Sequence, residues 1–100
     1  MARTDLREII ETLRRDAGSA IALRYTEAFE TNFDRLVDHP GIGAPRRRFG
    51  KRARILIVSP YLIFYDGAPK DVTVTVLRIL HESRRITSKM ISQGRDDLDD

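Results

Sequence analysis

The chain has no cysteine among its 100 residues, which excludes disulfides, a thiolate nucleophile and any zinc site built on cysteine. Its two histidines, His39 and His81, are far apart, and its acids are scattered, so no metal-ligand spacing emerges. No metal and no cofactor are expected. Gly41-x-Gly43 is too short to cradle a phosphate and stands before a basic loop. No apolar run approaches the roughly 20 residues of a membrane span. The opening MARTDLREII brings in acid at once, with no apolar segment behind it, which is not the layout of a secretory signal. There is no internal repeat. The expectation is one small cytoplasmic domain with no membrane partner.

Charge is unevenly spread. Arg46, Arg47, Arg48, Lys51, Arg52 and Arg54 crowd one stretch, while Asp96, Asp97, Asp99 and Asp100 make the C-terminus acidic. Without those four carboxylates the net charge of +3 becomes +7. A basic body favours acidic partners, either nucleic acid or an acidic peptide.

Leu6, Ile9, Ile10 and Leu13 recur at i, i+3, i+4, i+7, the stripe of an amphipathic helix. Asp5 and Glu8 at its start and Arg14 and Arg15 at its end suit the helix dipole. Gly18 offers a left-handed cap, and Ser19 is the expected N-cap of a second helix. That helix carries Ile21, Tyr25, Ala28, Phe29, Phe33, Leu36 and Val37. It stops near Asp38-His39, because a residue before proline is pushed out of helical angles. The first helix is marginal alone, so its stripe must pack on a sheet.

His39–Pro45 reads as a turn-rich connector. Ile55–Val58 and Tyr61–Tyr65 are apolar on both parities, as in central strands, with Ser59-Pro60 as a tight turn between them. A third strand alternates Val72, Val74 and Val76 with Thr73 and Thr75. Beyond Val76 the alternation blurs and Arg78 falls on the valine parity, so either a bulge shifts the register or Arg78 faces a partner groove. Thr87–Ser92 suits a turn or more of helix, and residues 94–100 are expected to form a frayed acidic tail beyond a domain of residues 1–93.

Four segments in order then carry a resemblance: Ala2-x-x-Asp5-Leu6-x-x-Ile9; Phe33-x-x-Leu36-x-x-His39-Pro40-x-Ile42-Gly43; Tyr61-Leu62-Ile63-Phe64-Tyr65; and Val76–His81 followed by Arg84-Arg85. Together they span roughly Ala2 to Ile91 and resemble the ParE branch of the RelE/ParE toxin superfamily. The resemblance implies an α+β fold, with a helical hairpin packed on a small antiparallel sheet. The strand that usually leads the family's first helix has no counterpart here, which implies three strands and a bare sheet edge. A bare edge is a pairing hazard. A start codon placed too late, a degraded toxin, and an edge filled by a partner strand are the competing explanations, and a less stable isolated chain is expected.

RelE-type members cut mRNA on the ribosome. That reaction needs a base, an acid and cations for the phosphorane. This chain has Leu62 where the RNA-cutting branch often has arginine, and no tyrosine after Tyr65. ParE-type members are non-enzymatic inhibitors, which implies DNA gyrase as target, with DNA contacted only indirectly, and a ParD-like antitoxin as the partner in a homo- or hetero-oligomer. Arg78, His81, Arg84 and Arg85 are the expected target-binding residues, since the planar arginine fork pairs bidentately with carboxylate or phosphate. Arg46, Arg47, Arg48, Arg52 and Arg54 form an auxiliary basic patch. Tyr61, Ile63, Tyr65 and Arg78 are the expected antitoxin groove. His81 reads equally as a hydrogen-bonded structural residue, and His39 as a helix-end residue. A RelE-like interferase and a non-toxic, antitoxin-binding remnant are the alternatives.

Overall fold

The computed structural model describes residues 1–97. Helices α1 (Ala2–Ala17) and α2 (Ser19–Asp38) form the expected hairpin. They meet at Gly18, whose φ of 96° lies where only glycine sits without steric cost. Gly18 rather than Ser19 is the N-cap of α2, and Ser19 is its first helical residue. The stripe Leu6, Ile9, Ile10 and Leu13 packs on the core, although no α1 residue is fully buried. α2 contributes Ala22, Phe29 and Leu36 to the interior. It ends as expected: the His39 N–H closes the last turn on the Arg35 carbonyl, and Pro40 follows.

The sheet has four strands where three were expected. β1 (Ala44–Pro45), β2 (Ala53–Val58), β3 (Tyr61–Asp66) and β4 (Thr75–His81) lie in that order, each antiparallel to its neighbour. The additional strand comes from the connector that reads as turns. Ala44 pairs with Ile55 and Pro45 with Arg54, and proline is tolerated there because the strand lies at the edge of the sheet. Val58 pairs with Tyr61 across Ser59-Pro60, so that dipeptide is the tight link foreseen.

β4 begins three residues later than its valine–threonine alternation suggests. The β3–β4 ladder stops at Asp66 and Thr75, so residues 72–74 have no strand to pair with among the described residues and Val72 is 98% exposed. Strand propensity is a property of fit to neighbours, and here the neighbour is missing. The blurred stretch is a bulge. Phe64 pairs with Arg78 but Tyr65 pairs with Val76, which leaves Leu77 as the extra residue.

The two faces of the sheet are covered unequally. Val58, Tyr61, Ile63, Tyr65 and Ile79 pack with Phe29 and Leu36 under the hairpin. On the opposite face Ala53, Phe64, Leu77 and Leu80 pack with Phe49 from a single 3-10 turn (Arg47–Phe49) and with Ile91 from α3 (Ser88–Asp96).

α3 runs past the boundary expected at residue 93. Thr87 caps it by accepting from the Met90 N–H. Gly94 is buried against the Leu77 backbone, where a Cβ would collide with the Leu77 carbonyl. Arg95 forks onto the Asp66 carboxylate at 2.8 and 2.9 Å and also donates to the Phe49 carbonyl. Residues 94–97 are therefore not a free tail: the small glycine lets the helix approach β4, and the arginine ties it to β3. Residues 98–100 of the expected tail lie outside the described residues.

The edge expected to be bare is partly guarded. α1 packs beside β4 and presents Asp5, which accepts the Ile79 N–H at 3.1 Å. The same carboxylate takes a fork from Arg78 at 2.8 and 3.0 Å, and Arg78 also donates to the Met90 carbonyl of α3. One side chain on a helix thus supplies part of what a neighbouring strand would supply.

Candidate functional site: an open, arginine-rimmed face

Beyond His81 the chain turns sharply. The Glu82 N–H donates to the Pro60 carbonyl and the Arg84 N–H to the His81 carbonyl. His81 Nδ1 accepts from the Ser83 N–H at 3.0 Å. Its ring meets Tyr61 edge-on, with centroids 5.5 Å apart. The imidazole thus shapes the elbow by accepting from its backbone. The turn leaves Arg84 and Arg85 exposed just past the end of the strand.

On the face away from the hairpin, Arg46, Arg48 and Arg84 rim a shallow groove of about 300 Å³. Ile55, Leu62, Phe49, Phe64 and Ile86 line it. The 3-10 turn holds the first side of the rim: Phe49 buries its ring against Phe64, with centroids 5.6 Å apart, and Arg48 lies over the Phe49 ring at 4.5 Å. Arg48 also donates to the Ile86 carbonyl, which ties the turn to the segment after the elbow. The Arg46 side chain donates to the carbonyl of its neighbour Pro45. Among the described residues no carboxylate pairs with Arg46, Arg47, Arg48, Arg84 or Arg85.

Other expected site residues have structural partners. Arg54 donates to the carbonyls of Gly67, Gly41 and Gly43, stitching the connector to the sheet. Arg52 pairs with Asp71, whose carboxyl is held below its usual range by that hydrogen bond and by the Ala68 N–H. Arg78 is 8% exposed and sits in the clasp with Asp5, whose hydrogen bonds hold its guanidinium above the usual range. It is a strut between α1, β4 and α3, not a surface contact.

The expected antitoxin groove is likewise closed. Tyr61 is 8% exposed and Ile63 and Tyr65 are fully buried, because their parity faces the hairpin. Burial pushes both phenols above their usual pKa. The Tyr65 hydroxyl accepts from the Gly43 N–H and donates to the Pro40 carbonyl, each at 2.8 Å, which fixes the helix exit loop.

A second cavity, of about 250 Å³, lies between α1 and the end of β4. Asp5, Glu8, Thr12, Tyr61, His81 and Arg84 are among the residues that line it. The structure therefore brings His81 and Arg84 to one cavity and Arg84, Arg46 and Arg48 to another. Arg84 borders both.

The sequence reading missed the aliphatic side chains that line the groove with these arginines, Ile55 and Leu62, and Ile57 beside Leu62. The signal was present: two strands apolar on both parities, but only one helical hairpin to cover them. The other parity is covered only in part, by the 3-10 turn and α3, and Ile57 on it is 63% exposed.

Residues 1–86 match the family model described as "ParE toxin of type II toxin-antitoxin system, parDE". No curated protein matches the chain.

Proposed function

The chain belongs to the ParE toxin family of type II toxin–antitoxin systems, and from that premise we propose that it acts as a non-enzymatic inhibitor of DNA gyrase, neutralised by a ParD-like antitoxin. One observation carries the reading beyond the family. Arg84 and Arg85 stand exposed at the elbow without a carboxylate partner among the described residues, while Arg52, Arg78 and Arg95 pair with acids and Arg54 donates to loop carbonyls. Desolvating an unpaired guanidinium against a target's carboxylate or phosphate gives a bidentate contact at no cost to the fold. The groove beside Arg84 is lined by Ile55, Leu62 and Ile86 among others. Such a lining suits binding and offers no group for moving a proton.

The runner-up is cleavage of mRNA on the ribosome. It draws on the cavity shared by Glu8, His81 and Arg84, a carboxylate, an imidazole and a cation. Purified chain and purified gyrase separate the two. Inhibited supercoiling with accumulation of cleaved DNA is the expected result. Normal supercoiling together with transcript cleavage on ribosomes would establish the runner-up instead.

A further inference from the structure

The cavity between α1 and the end of β4 has a free charge of each sign on facing walls. α1 contributes Asp5, Glu8 and Thr12, and the end of β4 and the elbow contribute His81 and Arg84. Asp5 is fully engaged, because its oxygens accept from Arg78 and from the Ile79 N–H. Glu8 pairs with no base, and Arg84 with no acid, among the described residues. Asp5 and Arg78 cancel, so the α1 wall keeps one surplus negative charge and Arg84 brings one surplus positive charge to the elbow wall. Between them Ile9, Ile79 and Leu80 supply hydrocarbon. Tyr61 borders the same cavity at 8% exposure, and no hydrogen bond to its hydroxyl is found among the described residues. A mostly buried phenol without a partner leaves a hydrogen-bonding group for whatever enters.

We propose that this cavity binds a free α-amino acid with an aliphatic side chain. The ligand carboxylate takes the planar fork of Arg84. Its ammonium pairs with Glu8, and its side chain lies against Ile9, Ile79 and Leu80. A simple anion would be repelled by the α1 wall and a simple cation by the elbow, so the site selects a molecule that carries both charges. Size points the same way. At about 250 Å³ the cavity is smaller than the roughly 300–1,000 Å³ of sites for drug-sized ligands. A nucleotide also lacks a ring to stack on, since Tyr25 and His81 pack edge-on against Tyr61, with centroids 5.6 and 5.5 Å away.

Arg84 borders both this cavity and the groove on the opposite face. A carboxylate held here therefore engages a guanidinium of the proposed target contact. That consequence rests on the gyrase reading: a bound amino acid should weaken inhibition.

The test titrates L-leucine into isotope-labelled full chain. Saturable amide shifts at Ile9, Thr12 and Leu80 are expected. N-acetyl-leucine lacks the ammonium, leucinamide lacks the carboxylate and glycine lacks the hydrocarbon, and each should bind at least about tenfold more weakly. Glu8→Gln should weaken leucine by about tenfold or more and leave N-acetyl-leucine unchanged, whereas Arg84→Ala should weaken both. Glu8 and Arg84 are exposed, so each variant's amide spectrum should keep the wild-type dispersion. No saturable shift with leucine, equal binding by N-acetyl-leucine or leucinamide, wild-type affinity in Glu8→Gln, or occupation of the cavity by adenosine monophosphate but not by leucine would overturn the proposal. In a supercoiling assay leucine should reduce inhibition by the wild-type chain. A wild-type chain that fails to inhibit gyrase at all removes the target reading and leaves the leucine result standing.

Discussion

On one side of the sheet Tyr61, Ile63, Tyr65 and Ile79 are sealed beneath the helical hairpin; on the other, Ile55, Ile57 and Leu62 stay partly open to solvent. The arginines divide by their partners. Arg54 and Arg78 are spent on closing the fold, one on three loop carbonyls and the other on Asp5. Arg46, Arg48 and Arg84 border the open groove and pair with no acid among the described residues. Whether an acid or carbonyl of another element reaches an arginine, not the density of arginines in the sequence, separates a structural cation from an available one. A small domain has little core to spare, so the cations inside it must be satisfied from within. Those on the open face are left for a partner.

Removing the Asp5 carboxylate should produce the largest stability effect. Asp5 and Arg78 side chains are 11% and 10% exposed, and Asp5 also satisfies the Ile79 N–H. Asp5→Ala leaves a buried guanidinium and a strand donor without their acceptor, a loss of about 3–5 kcal/mol. Urea denaturation measures it. A loss under about 1 kcal/mol would mean that solvent replaces the carboxylate, and that the clasp does not set the closed side apart.

Gly94→Ala comes next. Its Cβ meets the Leu77 carbonyl, so α3 must shift away from β4, at about 1–3 kcal/mol. The same denaturation experiment reads it. No change would return α3 beyond residue 93 to the status of a loose tail.

Tyr65→Phe should cost about 1–2 kcal/mol, because the Gly43 N–H and the Pro40 carbonyl lose their shared partner. The phenol also sets an alkaline limit. Burial raises its folded-state pKa above the usual value of about 10. Its contribution is therefore complete below that value and is lost as pH rises through the folded-state pKa, since the unfolded chain ionises first. Wild-type stability should decline above about pH 10, and the decline should be shallower in Tyr65→Phe. Parallel declines would place the alkaline sensitivity elsewhere, with Tyr61 the next group to replace.

The closed side was far more legible in the sequence than the open one. The i, i+3, i+4, i+7 stripe gives α1, His39-Pro40 ends α2, and the apolar runs at 55–58 and 61–65 give the central hairpin, because each is a local pattern with a local cause. What escaped was long-range. Asp5 and Arg78 lie 73 residues apart and only the folded sheet brings them together. Val72–Val74 has a strand's alternation but no partner, whereas Ala44-Pro45 has no alternation and yet pairs. For the site, residue type was readable and status was not. Arg78 and Arg84 look alike in a basic elbow, and one bulge at Leu77 helps send Arg78 into the interior.

The smallest stability effect should come from Arg84→Ala combined with Arg85→Ala, and this variant tests the open side most directly. Both side chains are exposed and neither pairs with an acid among the described residues. Surface substitutions away from caps, cores and ion-pair networks stay within about 0.5 kcal/mol. The elbow's own hydrogen bonds run through backbone groups and His81, so the turn survives truncation. Gyrase inhibition, by contrast, should be abolished. Guanidiniums that touch a target through charge-assisted hydrogen bonds leave its acids unpaired when removed, at a cost of about 2–5 kcal/mol for a buried pair, or roughly 30-fold to several thousandfold in affinity. Denaturation and supercoiling assays on one preparation give both readings. A variant that keeps its stability and its full inhibitory activity would move the target contact off the elbow. A variant that loses stability and activity together would show that Arg84 or Arg85 belongs with Arg78 among the cations that hold the fold.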